Sequence, residues 1–386
     1  MPAWRGQQAR TMEWLRALGK DELVCVCPRP GTAGLVDDPA LKNIRFVTYE
    51  TGVLGRVDAV VTGCVLGSMP LQEGLYATRA ARVALRVALR AERPDLVIIQ
   101  MVRCSWAEEV IELEAPGTPI LFDAIDAMGL HFSRAAETFN PLIRPLARLE
   151  AGRCRRRERD MASKADLTVA VADRDLAALE APAGIGLAMP VSGTVTSGIR
   201  DVASAPTILL SGNLGYRPTV EAARWFGAEV WPLVKAAIPE ARWILAGARP
   251  ARLVSALAAL NGVEIHGDVA DLGGFMAQAW VAIAPMASGS GVPMKVLEAW
   301  SAGLPVVAHP WTVAGLDDSS RSAVRQAEGA GKWAGALIEL LGDRKERDTL
   351  AALGLEAWNR GYHPEVIAER IREAVETAVL PKRQPT

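Results

Sequence analysis

Lys295 and Glu298 stand three residues apart, just behind two glycines, Gly289 and Gly291. An ammonium group can hold a diphosphate. A carboxylate one helical step further on can accept hydrogen bonds from the hydroxyls of a ribose. Glycines in the preceding loop let a phosphate approach backbone N–H groups closely, and a helix N-terminus adds the positive end of its dipole. The same two residues could also form an ordinary surface pair beside a solvent loop. The surrounding stretch, WVAIAPMASGSGVPMKVLEAWSAGLPVVAHP at 280–310, has the elements an anion site needs. Residues 280–286 read as a strand buried on both faces, and 287–292 as a loop of small residues. Pro293 suits the first position of a helix that carries Val296, Leu297, Ala299 and Trp300 inward and stops at Gly303. Residues 304–308 read as the next buried strand.

Further candidates follow from the alternation of apolar strands and helices along the chain, which predicts parallel, doubly wound sheets. Ligands of such sheets bind beyond the carboxyl ends of the strands. Arg103 follows the strand at 96–101, and Asp123 and Asp126 follow the one at 120–122. A carboxylate there could orient or polarise a hydroxyl, and Arg103 could meet phosphate or another anion. The competing assignment makes Asp126 a helix cap and pairs Arg103 with Asp123. Gly212 and Gly215 follow the strand at 207–211, where they free backbone amides for an anion, and Arg217 is the cation expected to join Lys295. Arg79, Arg82, Arg86 and Arg90 stripe a helix at 71–92 and read as its wet face.

Composition narrows the classes. The chain has 386 residues, a formal charge of −1 and half its residues apolar, enough for two to three domains. No global field favours nucleic acid or anionic lipid. The run GRCRRRERDMASK sits in a long helix at 143–164 that reads as solvated; contact with a membrane surface is the minority alternative, and a nucleic-acid arm is not expected. Five cysteines at scattered positions read as buried free thiols, and Cys25 and Cys27 share one side of a strand. The four histidines show no ligand spacing, and there is no Asp-x-Asp motif, so no metal ligands are assigned. No membrane-spanning run or signal peptide is seen, which predicts a cytoplasmic protein.

The order GSGVPMKVLEAWSAGLPVV resembles the donor-binding segment of the retaining glycosyltransferases of the two-domain GT-B fold, in the large family 4 group. It is most similar to members with a G-x-G-x-x-x-K-x-x-E-A loop and helix. Ser290 stands where many relatives carry a second glutamate. SGNLGYRPTVEAARWF resembles the first strand and loop of the donor domain, and FDAIDAMGLHFSRAAE the corresponding acceptor-side loop. The resemblance is sharp over 207–316 and diffuse before it.

It implies an α/β protein of GT-B type, two Rossmann-like doubly wound parallel-sheet domains facing a cleft. The N-terminal acceptor-side domain would be 1–183, with a linker at 184–206 and the donor domain at 207–362. A last helix, 364–380, would pack back on the first domain. The family's opening strand is not visible in this sequence, although Gly6 and Arg10 occupy the places of its acceptor-side loop glycine and helix arginine. The donor site would comprise Gly212, Gly215, Arg217, Gly247, Asp268, Val269, Ser288, Gly289, Ser290, Gly291, Lys295 and Glu298, with Asp126, Arg103 and Lys295 carrying the chemistry. The implied activity moves a sugar from a nucleotide diphosphate donor to a hydroxyl acceptor (a glycan, a lipid-linked or a small molecule), with retention and with neither metal nor cofactor. The alternatives are an idle binding protein of the same fold and a nucleotide-sugar epimerase.

Overall fold

The computed structural model describes residues 6–29, 41–138, 140–192, 203–288 and 292–380. The chain divides into two compact units. One comprises Arg5–Pro190 together with the stretch from Ile367; the other contains Val191–Val366.

In the first unit α1 (Gly6–Ala17) is followed by β1 (Val24–Pro28) and β2 (Arg45–Tyr49). Next come α2 (Val53–Val60), widening into a π turn at Val61–Val65, then α3 (Leu71–Gly74) and α4 (Arg79–Glu92). Thr78 explains why the helix expected over 71–92 is two helices: its extended backbone breaks the first, and its hydroxyl caps the second by accepting from Ala81 N. The unit continues through β3 (Val97–Gln100), α5 (Ala107–Glu114), β4 (Ile120–Ile125), α6 (Met128–Thr138), α7 (Arg144–Lys164), β5 (Leu167–Ala170), α8 (Asp173–Leu179) and β6 (Gly186–Ala188). Two separate parallel sheets result, β1-β2 and β3-β4-β5-β6. The residues ahead of α1, where the family's opening strand was not visible in sequence, lie outside the described residues. β6 corrects the expected linker: Leu187 pairs with Val169, so 186–188 is the sheet's edge strand.

The second unit contains β7 (Thr207–Asn213), α9 (Arg217–Trp225), α10 (Trp231–Ala237), β8 (Arg242–Ala248), α11 (Arg252–Ser255), β9 (Val263–Gly267), α12 (Gly273–Gln278), β10 (Val281–Ala284), α13 (Met294–Ser301), β11 (Val306–Ala308), α14 (Pro310–Val313), β12 (Arg325–Gln326), α15 (Ala330–Gly342) and α16 (Arg344–Gly361). Its six parallel strands lie in the order β12-β11-β10-β7-β8-β9. Such an order has its switch point between β7 and β10, where the connections leave on opposite faces. Phe226, Trp231, Trp243 and Trp333 fill the core of this unit, while Trp225 packs at its edge.

The last helix, α17 (Pro364–Val379), spans the division. Ile367, Ile371, Ala374 and Ala378 recur at helical spacing and pack with Trp14, Leu18, Leu121, Leu167, Val169 and Met189 of the first unit. No helix among the described residues is long and apolar enough to cross a membrane.

Candidate active site

The carboxyl end of β7 approaches that of β8 unusually closely. Gly247 has φ 154°, and a Cβ there would lie 1.7 Å from the carbonyl oxygen of Gly212, so only glycine fits. Gly212 itself has φ 113°, and a Cβ on it would meet the Lys295 side chain 3.5 Å away at Cε. The lysine stem therefore lies over the end of β7. A Cβ on Gly215 would lie 2.6 Å from the Arg249 carbonyl oxygen, which ties the β7 loop to the loop after β8.

Lys295 lies in the first turn of α13, behind the loop that leaves β10. Its Nζ donates to Thr219 Oγ1 at 3.3 Å and approaches Met286 Sδ at 3.6 Å. Thr219 belongs to α9 and Met286 follows β10, so the ammonium spans the switch point. Thr312 of α14 steadies the arrangement by donating its hydroxyl to the Met286 carbonyl at 2.8 Å. Pro293 is the cap residue of α13 and Met294 its first helical residue, one position later than expected.

Burial lowers the Lys295 ammonium to about 8, with Glu298 opposing the shift. Burial raises the Glu298 carboxyl to about 7, with Lys295 opposing it. No ion pair joins the two among the described residues, and the Glu298 carboxylate has no hydrogen-bond partner among them. Two half-buried polar groups of opposite charge, one without a protein partner, suit a ligand that supplies the missing bonds. Gly289, Ser290 and Gly291 lie outside the described residues; Ser288 is exposed at the edge of that stretch.

Arg217 corrects one expectation. It opens α9 and forms an exposed pair with Glu221, Nε to Oε1 2.7 Å, while the charge acting on Lys295 is Glu298. Asp268 has φ 49°, and its Oδ1 accepts from Arg249 N at 2.8 Å. Its carboxylate thus ties together the loops after β8 and β9, with half-buried Val269 beside it. Composition pointed to none of Thr219, Met286 and Thr312. Thr219 had one legible signal, a hydroxyl in the first turn behind a glycine loop.

In the first unit Asp126 sits just beyond β4, after Ile125 in the left-handed region at φ 62°. Burial raises its carboxyl to about 7; Asp175 adds to the shift and Arg174 opposes it. It is not the cap of α6. Ala127 N donates to Asp175 Oδ1 at 3.4 Å, and Met128 N and Gly129 N donate to the two Glu158 oxygens at 2.6 and 3.0 Å. Both capping carboxylates come from other helices and are buried.

Arg10 is a further correction. Expected on the acceptor side, it is 0% exposed, with Nε donating to Asp123 Oδ2 at 3.1 Å and Nη1 to the Pro190 carbonyl at 3.2 Å. Trp14 Nε1 and Gln100 Nε2 donate to the same Asp123 oxygen at 2.7 and 3.2 Å. Asp123 and Arg10 are therefore a buried structural pair. Gly6 is the first residue of α1 and not part of a loop. Arg103 pairs with neither aspartate; its guanidinium lies over the Tyr76 ring, 5.5 Å from the centroid, and its Nε is buried with no hydrogen bond.

Residues 205–343 match the family model described as glycosyl transferases group 1. No curated protein matches the sequence. Among solved structures the chain is similar to sucrose-phosphate synthase from Thermosynechococcus elongatus, with TM-score 0.69, 16% identity, and coverage of 96% of this chain and 93% of that one. α,α-Trehalose 6-phosphate synthase from Burkholderia multivorans gives TM-score 0.64 and 13% identity, with 100% and 96% covered. HepE of Anabaena, in a complex with UDP-glucose, gives TM-score 0.61 and 13% identity, with 98% and 97% covered. These likenesses show a two-unit GT-B fold of Rossmann-like α/β domains. With the matched domain they support a GT-B glycosyltransferase.

Proposed function

We propose that the chain transfers a sugar from a nucleoside diphosphate donor to a hydroxyl acceptor, with retention at the anomeric carbon and without a metal ion. The observation that carries this reading is the half-buried Lys295–Glu298 pair at the β7/β10 switch point, with the carboxylate unpartnered and the lysine stem over Gly212. A diphosphate there supplies the anion that the ammonium lacks, and ribose hydroxyls supply donors to Glu298. As the glycosidic bond breaks, charge grows on the leaving phosphate. Lys295 and the N-terminus of α13 meet that charge. The binding of UDP-glucose by HepE, a protein of the same fold, is consistent with a nucleotide-sugar donor.

On the base side, Gly215, Gly247, Asp268 and Val269 form the adjoining wall after β7, β8 and β9. In the first unit Asp126 is proposed to orient an acceptor hydroxyl and Arg103 to meet an anionic acceptor. With its carboxyl near 7, Asp126 exchanges a proton readily at neutral pH.

The test is a thermal-shift screen against UDP-, GDP- and dTDP-sugars, followed by nucleotide release with the best donor in chelator. Lys295→Ala should lower transfer by about a hundredfold or more while the protein still melts cooperatively. Retained transfer in that variant, or no stabilisation by any nucleotide, refutes the donor site. Loss of transfer in chelator refutes the metal-free reaction, and inverted product by NMR refutes retention.

A further inference from the structure

The first unit exposes a run of large apolar side chains on neighbouring elements. Along α2 and its π turn, Val53 is 78% exposed, Leu54 85% and Leu66 79%, and Val57, Val61 and Val65 are exposed as well. Scattered surface leucines need no explanation, but a helix with most of its apolar side chains in water does. At the start of α7, Leu142 is 90% exposed, and Ile143, Leu146 and Leu149 are also open.

These segments share a wall. Glu150 of α7 accepts from Leu71 N and Gln72 N of α3 at 2.9 and 3.0 Å. α3 in turn packs on the π turn, where a Cβ on Gly74 would lie 2.3 Å from Cys64 Sγ. Leu71 and Leu75 are themselves exposed between the two.

Charge selects the occupant. Leu146 and Leu149 lie on one row of α7, with Leu142 in the turn just before it, and the row continues as Arg153 and Arg156. Arg148, Arg155, Arg156 and Arg159 are exposed, while both acids of this part of α7, Glu150 and Glu158, are buried. Arg148, Arg153 and Arg156 enter no ion pair among the described residues. The arginine stripe of α4 differs, because Arg82 pairs with Glu109, and Arg86 and Arg90 both pair with Glu114. An apolar face bordered by unneutralised arginines is what lies flat at an anionic interface, with the leucines and valines at the acyl boundary and the guanidinium groups among phosphates.

We propose that α2 and the first half of α7 dock the protein on the surface of a bilayer containing anionic phospholipid. The inference does not depend on the donor site, since no residue of the second unit enters it.

Co-sedimentation of the full chain tests it, with vesicles of phosphatidylcholine alone and of phosphatidylcholine mixed with phosphatidylglycerol. The protein should bind the mixed vesicles, lose binding as salt rises, and leave phosphatidylcholine alone unbound. Leu54→Glu with Leu146→Glu should weaken binding about tenfold or more, with the melting temperature unchanged. Arg148→Glu with Arg156→Glu should weaken it too and flatten its salt dependence, which serves as a second probe should the leucine pair aggregate. The proposal falls if neither vesicle is bound, or if both double variants bind as the parent does. It also falls if the parent is a dimer that the leucine changes dissociate while vesicles remain unbound, since the patch is then an interface between copies.

Discussion

Lys295 and Glu298 each need a particular protonation state to hold a nucleotide, and burial narrows the pH range in which both have it. The ammonium is lost as pH rises through about 8, and the carboxylate is lost as pH falls through about 7. Nucleotide affinity should therefore peak between the two values and fall on either side. A bound diphosphate stabilises the ammonium, so binding near pH 8 should take up protons. Calorimetry in buffers of different ionisation enthalpy measures that uptake directly. Proton release, or an affinity flat from pH 6 to about 9, would remove Lys295 from the diphosphate. At the same scale Arg10 shows how a residue of suitable type is diverted. An arginine next to an acidic loop could serve an acceptor, but the 0% exposure and the bonds to Asp123 and Pro190 make it part of the frame.

Among the elements, the closeness of β7 and β8 matters most. Their paired glycines, Gly212 and Gly247, bring one backbone against the other and leave room for the lysine stem above. Gly247→Ala should separate the strand ends, costing about 3 kcal/mol or more and abolishing nucleotide binding. Chemical denaturation together with a UDP thermal shift reads both effects. A variant of parental stability would mean that the two strands yield easily. The glycines themselves were visible as breaks after apolar runs. Their contact was not, because 35 positions of sequence and two intervening helices, α9 and α10, separate two residues that pair side by side. Likewise Glu158 and Asp175 reach the amides of α6 from other helices, so the capping role that competed for Asp126, the nearest acidic residue in sequence, is filled by others in the fold.

For the whole molecule, the C-terminal stretch is part of the core of the first unit. Ile367, Ile371, Ala374 and Ala378 bury their side chains against strands whose sequence ended long before. Each buried isoleucine contributes about 1.5–3 kcal/mol, so removing the chain from Ile367 onward should destabilise the first unit by several kcal/mol. Hydrogen exchange should show faster exchange in β4 and β5, with the amides of β7 and β8 still protected. Equal loss of protection in both units would show that the chain unfolds as one body.

Periodicity and turn chemistry by themselves determined most elements of this protein, the parallel sheets and the helix that carries Lys295 and Glu298. Those signals are local: apolar runs of strand length, helical spacing, and glycine or proline where the chain must turn. Only the tertiary structure decided which polar residues keep their charge for a ligand and which give it to the protein. Arg10 and Asp123 hold each other across 113 residues of sequence, Arg217 is held by Glu221 four residues on and Asp268 by Arg249 19 residues back, whereas Glu298 has no such partner among the described residues. Side-chain pairing and desolvation depend on distances through space, and the sheet order that brings β7 beside β10 sets those distances.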